Sequence, residues 1–429
     1  MKARDSTLIQ TFQPAERAPT ETLLARIGIP PQLAWGYLGL FLFMVGDGVE
    51  SGYLAPYLIS RGHAANNAAW VFAAYGLMAG LAGWLSGSLS DAWGPRRVIT
   101  VGFATWVIFQ LCFLTLGITH GLPAILLTYG LRGLGYPLFS FGFLVWITVV
   151  APPNRLASAM GWFWFAFTGG LPTLGSVVAG WCVPRVGQVG TLWVGTAFVV
   201  AGGLTLLIGV REPRGAKRLV STEEEALTAL WHSISLLWRK PKTAIACLTR
   251  VINTAPEFGF LVILPTFFMH TIGFSLVGWL HLLSAIFLSN IIWNLLFGLI
   301  ADRIGWIRTI SVFGGVGCAL STLAIYYVPM WHHSYIASVI AGACYGATLA
   351  AYVPLSALMT SLSPEEKGAS LSLLNLGAGA SVSVGPALVA LFLRPFGVRG
   401  VIWIFAALYL LSALLALQLR FDPMPQEDA

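Results

Sequence analysis

Twelve apolar segments, each about long enough to cross a lipid bilayer as a helix, occupy most of this 429-residue chain. They cover residues 33–60, 68–90, 98–119, 122–150, 157–182, 190–210, 243–269, 276–300, 309–329, 335–361, 369–393 and 401–419, and are called spans 1 to 12 below. Only 10% of the residues are charged, against about 25% in an ordinary soluble domain. A water-soluble core could not hide this much apolar surface. We therefore predict an all-α, multi-pass membrane protein with twelve transmembrane helices embedded in the lipid bilayer.

The basic residues of the chain are unevenly distributed between the two sides of the predicted membrane. If both termini face the same side, 18 of the 24 Lys and Arg residues lie on that side, four lie on the other and two lie within spans. The positive-inside rule then predicts a cell-membrane protein with both termini in the cytoplasm. The net charge of +7 is thus explained by topology, and we expect no nucleic-acid partner.

One long polar interruption, residues 211–242, divides the spans six and six. The predicted organisation is a cytoplasmic N-terminal segment (1–32), a six-helix bundle (33–210), a cytoplasmic linker (211–242), a second six-helix bundle (243–419) and a cytoplasmic tail (420–429). Because the spans divide evenly, the second half is expected to repeat the first.

The clearest repeat is a short loop motif, G-x-x-x-D-x-x-G-x-x-R, which occurs as "GSLSDAWGPRR" (87–97) and again as "GLIADRIGWIR" (298–308). The matching residues are Gly87, Asp91, Gly94 and Arg97 in the first copy and Gly298, Asp302, Gly305 and Arg308 in the second. The motif joins two spans by a tight turn, for which glycine is suited because it tolerates backbone torsions that other residues resist.

Two further matches occur in the same order at nearly the same offset. The stretch "ESGYL" (50–54) parallels "EFGFL" (257–261), so that Glu50 corresponds to Glu257. Downstream, "PPNRLAS" parallels "PEEKGAS" (364–370). Three ordered matches indicate that the second half repeats the first.

At these residues the chain resembles the major facilitator superfamily of secondary transporters, whose signature is the loop between spans 2 and 3, repeated between spans 8 and 9. Span 4 also carries "LRGLGYP" (131–137), similar to the family's arginine motif through Arg132. The resemblance implies two pseudo-symmetric six-helix bundles around a central cavity, with alternating access to the two sides of the membrane.

Span 1, "AWGYLGLFLFMVGDGVESGYLAPYL", and span 4, "RGLGYPLFSFGFLVWI", look like the polyol permease branch of this superfamily. That branch imports sugar alcohols such as ribitol and arabinitol together with protons. The resemblance implies symport of a small polar solute with protons, with a proton gradient and no cofactor as the source of energy.

The loop motif suggests a cytoplasmic gate. Asp91 and Asp302 lie where a helix reaches the membrane surface, and each can accept a hydrogen bond from the arginine of its own motif or face the N-terminus of a neighbouring helix. On this interpretation the motif is a charge latch that holds the cytoplasmic side shut in one state. The alternative is that its basic residues only set topology.

Charged residues deep inside the spans are the candidates for proton coupling. Asp47 and Glu50 lie three residues apart on one face of span 1, and span 7 places Arg250, Asn253 and Glu257 along one stripe. A carboxylate at such depth costs several kcal/mol unless it faces water, a partner or a proton. We expect Asp47, Glu50, Glu257 and Arg132 to serve proton coupling, with carboxylates of both halves facing one cavity. The alternative is a structural ion pair between Arg132 and a carboxylate of span 1.

Amides and carboxylates together suit a ligand rich in hydroxyl groups, because a carboxylate accepts O–H bonds and an amide both donates and accepts. The candidate substrate-binding residues are Glu50, Asn253, Glu257, Asn290, Asn294, Asn375 and, for contact with C–H faces, Tyr345. Each asparagine could instead hold two helices together.

Other functions remain open from the sequence. Arg132 and Arg250 could clamp a carboxylate, which would make the cargo an organic anion or aromatic acid. A membrane sensor that signals through residues 211–242 is a third hypothesis. The sequence contains no phosphate-binding loop, zinc-ligand spacing or nucleophile elbow, so we predict no enzyme activity, no catalytic residue and no metal site. We expect a monomer.

Overall fold

The computed structural model describes residues 23–152, 155–217, 228, 231 and 234–419, and the described elements are all helical. In the first half, span 1 comprises Ala34–Gly48 and Leu54–Ser60, span 2 Ala65–Trp93, span 3 Pro95–Cys112 and Phe113–Gly117, and span 4 Leu122–Arg132 and Gly135–Val150. Spans 5 and 6 together comprise Leu156–Thr168, Gly169–Leu174 and Gly175–Gly209. Gly187, with φ 73° and ψ 175°, makes the turn between these two spans.

The second half repeats this order. Span 7 comprises Pro241–Thr266 and Phe267–Ile272, span 8 Leu276–Ile304, span 9 Trp306–Arg308, Thr309–Gly317 and Cys318–His332, and span 10 Tyr335–Leu349, Ala350–Tyr352 and Leu355–Leu362. Spans 11 and 12 lie within Lys367–Leu417, and Gly397 at φ 63° makes the turn between them. Short helical turns at Leu23–Arg26, Pro31–Leu33, Pro213–Ala216 and Pro364–Glu366 lie outside the spans.

Nine helices in the described part of the chain are long and apolar enough to cross a membrane. Two of them, residues 158–209 and 369–417, each contain a glycine turn and therefore provide two crossings. Span 1 adds another crossing that is interrupted after Gly48. The structure is thus an all-α membrane fold consistent with the twelve predicted spans.

Glycine allows helices to approach closely at the positions that fix span 1. A Cβ at Gly48 would lie 1.5 Å from the carbonyl oxygen of Leu171 in span 5. Gly46 meets Gly195 of span 6 in the same way, since a Cβ on either would lie within 3 Å of the other's carbonyl oxygen. Such backbone contact between small residues is typical of helices packed within a membrane.

The two faces of the bundle are named by their loops. Residues 94, 155 and 305 lie at the terminal face, together with the ends of the described chain, whereas residues 62, 121 and 273 lie at the loop face. Among the described residues, the hydrogen bonds between the halves lie in the part of the bundle toward the loop face. They run from Trp279 Nε1 to Gly52 O at 2.7 Å, from Ser284 Oγ to Thr173 O at 3.3 Å and from Ser383 Oγ to Ala73 O at 2.9 Å.

Span 2 shows where the contact between the halves ends. A Cβ at Gly76 would lie 2.3 Å from the backbone of Val382 in span 11, and one at Gly80 would lie 2.9 Å from Gly379 O. Further toward the terminal face, no described atom lies within 4 Å of such a Cβ at Gly87. Contact between these spans is therefore concentrated toward the loop face, leaving their terminal-face side more open.

Candidate functional site

The charged residues of spans 1 and 4 lie where both helices are interrupted. In span 1 the regular helix ends at Gly48 and resumes at Leu54, and Glu50 lies within this break. In span 4 the helix ends at Arg132 and resumes at Gly135. Discontinuous helices at membrane depth are characteristic of transporter binding sites, because the freed backbone and side-chain groups can face one another or a ligand.

Glu50 and Arg132 form a buried ion pair. Arg132 Nη1 donates to Glu50 Oε2 at 2.8 Å, and Nη2 donates to the other carboxylate oxygen. Gln110 of span 3 adds an acceptor, with its Oε1 2.5 Å from Arg132 Nη1. Relative exposure is 4% for Glu50 and 1% for Arg132. A bidentate pair of this kind fixes the orientation of both groups.

Asp47 is the second carboxylate of this cluster, and its contact with the arginine is weaker. Its Oδ1 lies 3.9 Å from Arg132 Nη2, too far for a hydrogen bond. Instead Trp106 Nε1 donates to Asp47 Oδ1 at 2.6 Å, and Tyr75 OH lies 3.4 Å from Oδ2. Asp47 is thus held mainly by neutral donors.

Aromatic rings surround the guanidinium of Arg132. Its Cζ lies 4.5 Å from the ring centroid of Tyr129, 5.0 Å from that of Trp106 and 5.3 Å from that of Tyr75. Cation–π contacts of this kind strengthen when the cation is shielded from water. Together with Asp47, Glu50 and Gln110, these residues form what we call the first-half cluster.

The second half has a different arrangement around its intramembrane charges. Arg250 Nη1 donates to Asn253 Oδ1 at 2.6 Å, and both Arg250 and Glu257 are half-buried. Among the described residues, no carboxylate lies within 4 Å of Arg250 and no cationic group lies within 4 Å of Glu257. Span 10, which repeats span 4, contains no charged residue that could play the part of Arg132.

Glu50 therefore has a cationic partner within its own half, and among the residues that the structure describes Glu257 has none within 4 Å. Because Glu50 is engaged in the first-half cluster, the expected meeting of Glu50 and Glu257 in one cavity stays a prediction. Because Arg250 and Glu257 are only half-buried, a solute or water can reach them. Arg250 can donate hydrogen bonds to such a solute, and Glu257 can accept them.

Hydroxyl groups from neighbouring spans line the same part of span 7. Thr254 Oγ1 lies 2.5 Å from Ser381 Oγ of span 11. Tyr409 OH donates to the backbone oxygen of Asn253 at 3.1 Å and lies 2.8 Å from Tyr345 OH. Tyr345 is only 2% exposed, and it meets span 7 both through Tyr409 and through its ring, whose centroid lies 5.1 Å from that of Phe260.

The remaining predicted asparagines differ in environment. Asn290 Nδ2 donates to Gly346 O of span 10 at 3.0 Å, and Asn294 Nδ2 donates to Asn290 Oδ1 at 3.0 Å. This pair therefore joins two helices, which is the alternative open from the sequence. Asn375, in contrast, is exposed, one helical turn from Gly379 on the side of span 11 that faces span 2.

The loop motif makes a sharp turn in both copies. Gly94 has φ 89° and Gly305 has φ 96°, a region that favours glycine. Asp91 is half-buried, and no ion pair between Asp91 and Arg97 is present among the described residues. The side chain of Asp302 lies outside what the structure describes. The expected charge latch stays a prediction.

Several residues of the first-half cluster could not be selected from the sequence. Gln110 could have been singled out as a candidate, because it is the sole Asn or Gln in span 3. Trp106 is one of 17 tryptophans. Tyr75 and Tyr129 are candidates for stacking on a substrate, but no sequence pattern relates them to Arg132. Their contact with Arg132 follows from helix rotation, which an apolar run does not reveal.

The intramembrane charges do not balance. Asp47, Glu50 and Glu257 are three carboxylates, whereas Arg132 and Arg250 are two guanidinium groups. An uncompensated charge is costly away from water. One bound proton would neutralise the difference, so the arrangement is suited to taking up and releasing a proton.

Comparison with known proteins places this architecture in a family. Residues 36–355 match the Major Facilitator Superfamily model, as do residues 246–429 in a second, overlapping match. The chain is 42% identical to "Alpha-ketoglutarate permease" of Bacillus subtilis (strain 168), covering 92% of this chain and 90% of that protein. It is 36% identical to "Ribitol transporter" of Klebsiella pneumoniae, covering 92% and 93%.

A solved structure agrees in fold. The crystal structure of peptide transporter POT in complex with sulfate superposes with a TM-score of 0.75 at 15% identity, covering 91% of this chain and 94% of that one. Sequence and fold agree, and the chain belongs to the major facilitator superfamily.

Proposed function

We propose that this secondary transporter carries a sugar alcohol, such as ribitol or arabinitol, together with protons by alternating access. The observation that carries the proposal is the excess of intramembrane carboxylates over guanidinium groups, three to two. A site with one surplus negative charge can bind a proton and a neutral solute together. The loaded transporter can then change from one open state to the other without an uncompensated charge inside the membrane.

The solute would bind on the accessible side of the second half. Arg250 offers N–H donors and Glu257 offers acceptors, and both are half-buried without a partner of opposite charge within 4 Å among the described residues. A polyol hydroxyl both donates and accepts, so one ligand can satisfy both groups. The exposed Asn375 supplies a further amide on span 11.

The proton would be taken up by Asp47 of the first-half cluster and by Glu257. Glu50 is neutralised by Arg132, which leaves Asp47 as the carboxylate without a bidentate cation. In the proposed cycle, protonation and polyol binding from the loop face precede closure, and both leave at the terminal face. The charge distribution of the loops supports a cell-membrane location with the terminal face in the cytoplasm.

An organic anion is the second candidate cargo. Arg250 has no carboxylate within 4 Å among the described residues, and the 42% identical relative is named "Alpha-ketoglutarate permease". Arg132 is unsuited to bind the carboxylate of an anionic substrate, because its guanidinium is already paired with Glu50. A dianion would also add negative charge to a site that already carries an excess, so it would need additional protons.

Transport assays in proteoliposomes test both candidates. When the lumen is more alkaline than the medium, proteoliposomes that contain the protein are expected to accumulate labelled ribitol or arabinitol above its concentration in the medium. Addition of a protonophore should abolish this accumulation. Arg250→Gln and Glu257→Gln should each weaken uptake. Accumulation of α-ketoglutarate but of neither polyol would reject the polyol proposal, and Arg250→Gln should then abolish uptake of the anion.

A further inference from the structure

A short segment after span 6, residues 211–217, packs against the first half and is called the strap. Glu212 of the strap is buried, and its Oε2 accepts from Trp146 Nε1 at 2.8 Å and from Gly215 N at 3.2 Å. A Cβ at Gly215 would lie 2.1 Å from the Trp146 ring. The strap therefore lies directly on the terminal-face end of span 4.

The strap also covers the first copy of the loop motif. A Cβ at Gly94 would lie 2.9 Å from Lys217 O, and Gly94 and Pro95 are both buried. Arg96 Nη2 donates to Leu207 O at the end of span 6 at 2.8 Å. The turn between spans 2 and 3 is thus attached to the end of span 6 and to the strap.

Among the described residues, no segment like the strap covers the corresponding place in the second half. Gly305 corresponds to Gly94, and Leu358 lies six residues before Pro364 as Trp146 lies six before Pro152. Ile304, Gly305, Trp306, Ile307, Arg308 and Leu358 line a cavity of about 220 Å³, called the second-half seat. Gly305 is exposed, and no described atom lies within 4 Å of a Cβ built on it.

The sequence after span 12 repeats the beginning of the strap. Glu212-Pro213 follows span 6, and Asp422-Pro423 follows span 12 at an offset of 210, close to that of the other repeats. Val210, two residues before Glu212, and Leu419, three residues before Asp422, are both 0% exposed. The tail therefore starts from an anchored position equivalent to that of the strap.

Charge supports the same pairing. The tail, residues 420–429, contains Asp422, Glu427 and Asp428 against one basic residue, Arg420. Arg308, which lines the seat, and Arg303, which precedes the lining residue Ile304, are both exposed. A ten-residue segment reaches at most about 33 Å when extended, and the strap covers Gly94 within seven residues of span 6.

We propose that the tail, with Asp422-Pro423 as its docking element, occupies the second-half seat and acts there as the strap does in the first half. Each motif loop is then tied to the segment that follows the sixth helix of its own half. Docking of the tail fixes the turn between spans 8 and 9, so that the second half moves as one body.

Photocrosslinking in the full-length chain tests this assignment. With p-benzoylphenylalanine in place of Phe421, irradiation should give an intramolecular product in which the tail is joined to residues 304–308 or 355–362. Asp422→Ala should lower its yield roughly tenfold, as expected for loss of a charge-assisted hydrogen bond. The same photoreactive residue in place of Lys217 should crosslink near Gly94 whether or not Asp422 is present.

Three results would overturn the proposal. The first is a set of crosslinks that join the tail only to residues outside 304–308 and 355–362. The second is a product of twice the chain mass, which would mean that the tail binds a second copy. The third is a crosslinking yield that Asp422→Ala leaves unchanged. The Lys217 crosslink shows in each case that the protein is folded and the reaction works.

Discussion

Glu50 contacts Arg132 through both carboxylate oxygens, whereas its repeat counterpart Glu257 has no cationic group within 4 Å among the described residues. The two halves therefore share a fold but use their central carboxylates differently. In the first half the charge is neutralised inside the bundle, and in the second half it is available to a proton or a solute.

Removing Arg132 should destabilise the protein strongly. Arg132→Gln leaves two carboxylates without a cation in a buried cluster, and breaking a buried ion pair typically costs about 3–5 kcal/mol. We expect a large fall in the thermal unfolding midpoint of the detergent-solubilised protein. The double variant Glu50→Gln/Arg132→Gln should recover part of the loss, because it removes both charges.

Arg97→Gln is the matched control for that measurement. Arg97 is exposed at the terminal face and makes no ion pair with Asp91, and surface substitutions usually change stability by less than about 0.5 kcal/mol. Equal effects of Arg97→Gln and Arg132→Gln would show that the ion pair contributes nothing beyond an exposed charge.

The indole of Trp106 should matter through its hydrogen bond to Asp47. Trp106→Phe keeps an aromatic ring beside Arg132 but removes the donor 2.6 Å from Asp47 Oδ1. Hydrogen bonds to charged groups contribute about 1.5–3 kcal/mol, so stability and proton-driven uptake should both fall. Trp84→Phe provides the comparison, because the buried Nε1 of Trp84 has no hydrogen-bond partner in the described structure. A loss as large in Trp84→Phe would mean that packing, and not the hydrogen bond, is responsible.

Glu257→Gln should separate proton coupling from solute movement. The amide keeps one oxygen acceptor but cannot take up and release a proton, so uphill accumulation in proteoliposomes should be lost. Exchange of labelled for unlabelled polyol at equal concentrations, which needs no proton gradient, should persist at a reduced rate. Normal gradient-driven accumulation by this variant would remove Glu257 from the coupling mechanism.

Close approach of spans 2 and 11 gives a test of the contact between the halves. Gly76→Leu places a side chain where even a Cβ would lie 2.3 Å from the Val382 backbone, so it should force the loop face open. Spin labels at residues 61 and 394, which are exposed on the loop face in different halves, should move apart. Gly87→Leu, at a position with open space, should leave the distance unchanged. Equal distances in both variants would contradict the assigned contact.

The sequence was sufficient to predict the membrane fold and its internal repeat, because bilayer-length apolar runs and ordered motifs depend on local composition. It also indicated Asp47, Glu50, Arg132 and Glu257, since charge inside a span is rare. The structure adds the pairing of Glu50 with Arg132, which the sequence left as an alternative.

Other features depend on how the helices rotate and break. Pro56 predicts a break near Gly52, because it lacks the N–H that would bond the carbonyl four residues before it. It does not predict that the interruption of span 1 extends back to Gly48. The contact of Gln110 with Arg132 joins residues of spans 3 and 4. The difference between Asn290, which joins two helices, and the exposed Asn375 is likewise set by packing. An amide in an apolar run has the same appearance in both cases.

At Gly76 and Gly80, spans 2 and 11 meet main chain to main chain, and close to this contact Ser383 Oγ donates to Ala73 O. Parting the two helices displaces no side chain of Gly76 or Gly80, but it breaks the hydrogen bond from Ser383 to Ala73. Separation of the halves at this seam should therefore be limited more by the loss of that hydrogen bond than by the withdrawal of bulky side chains.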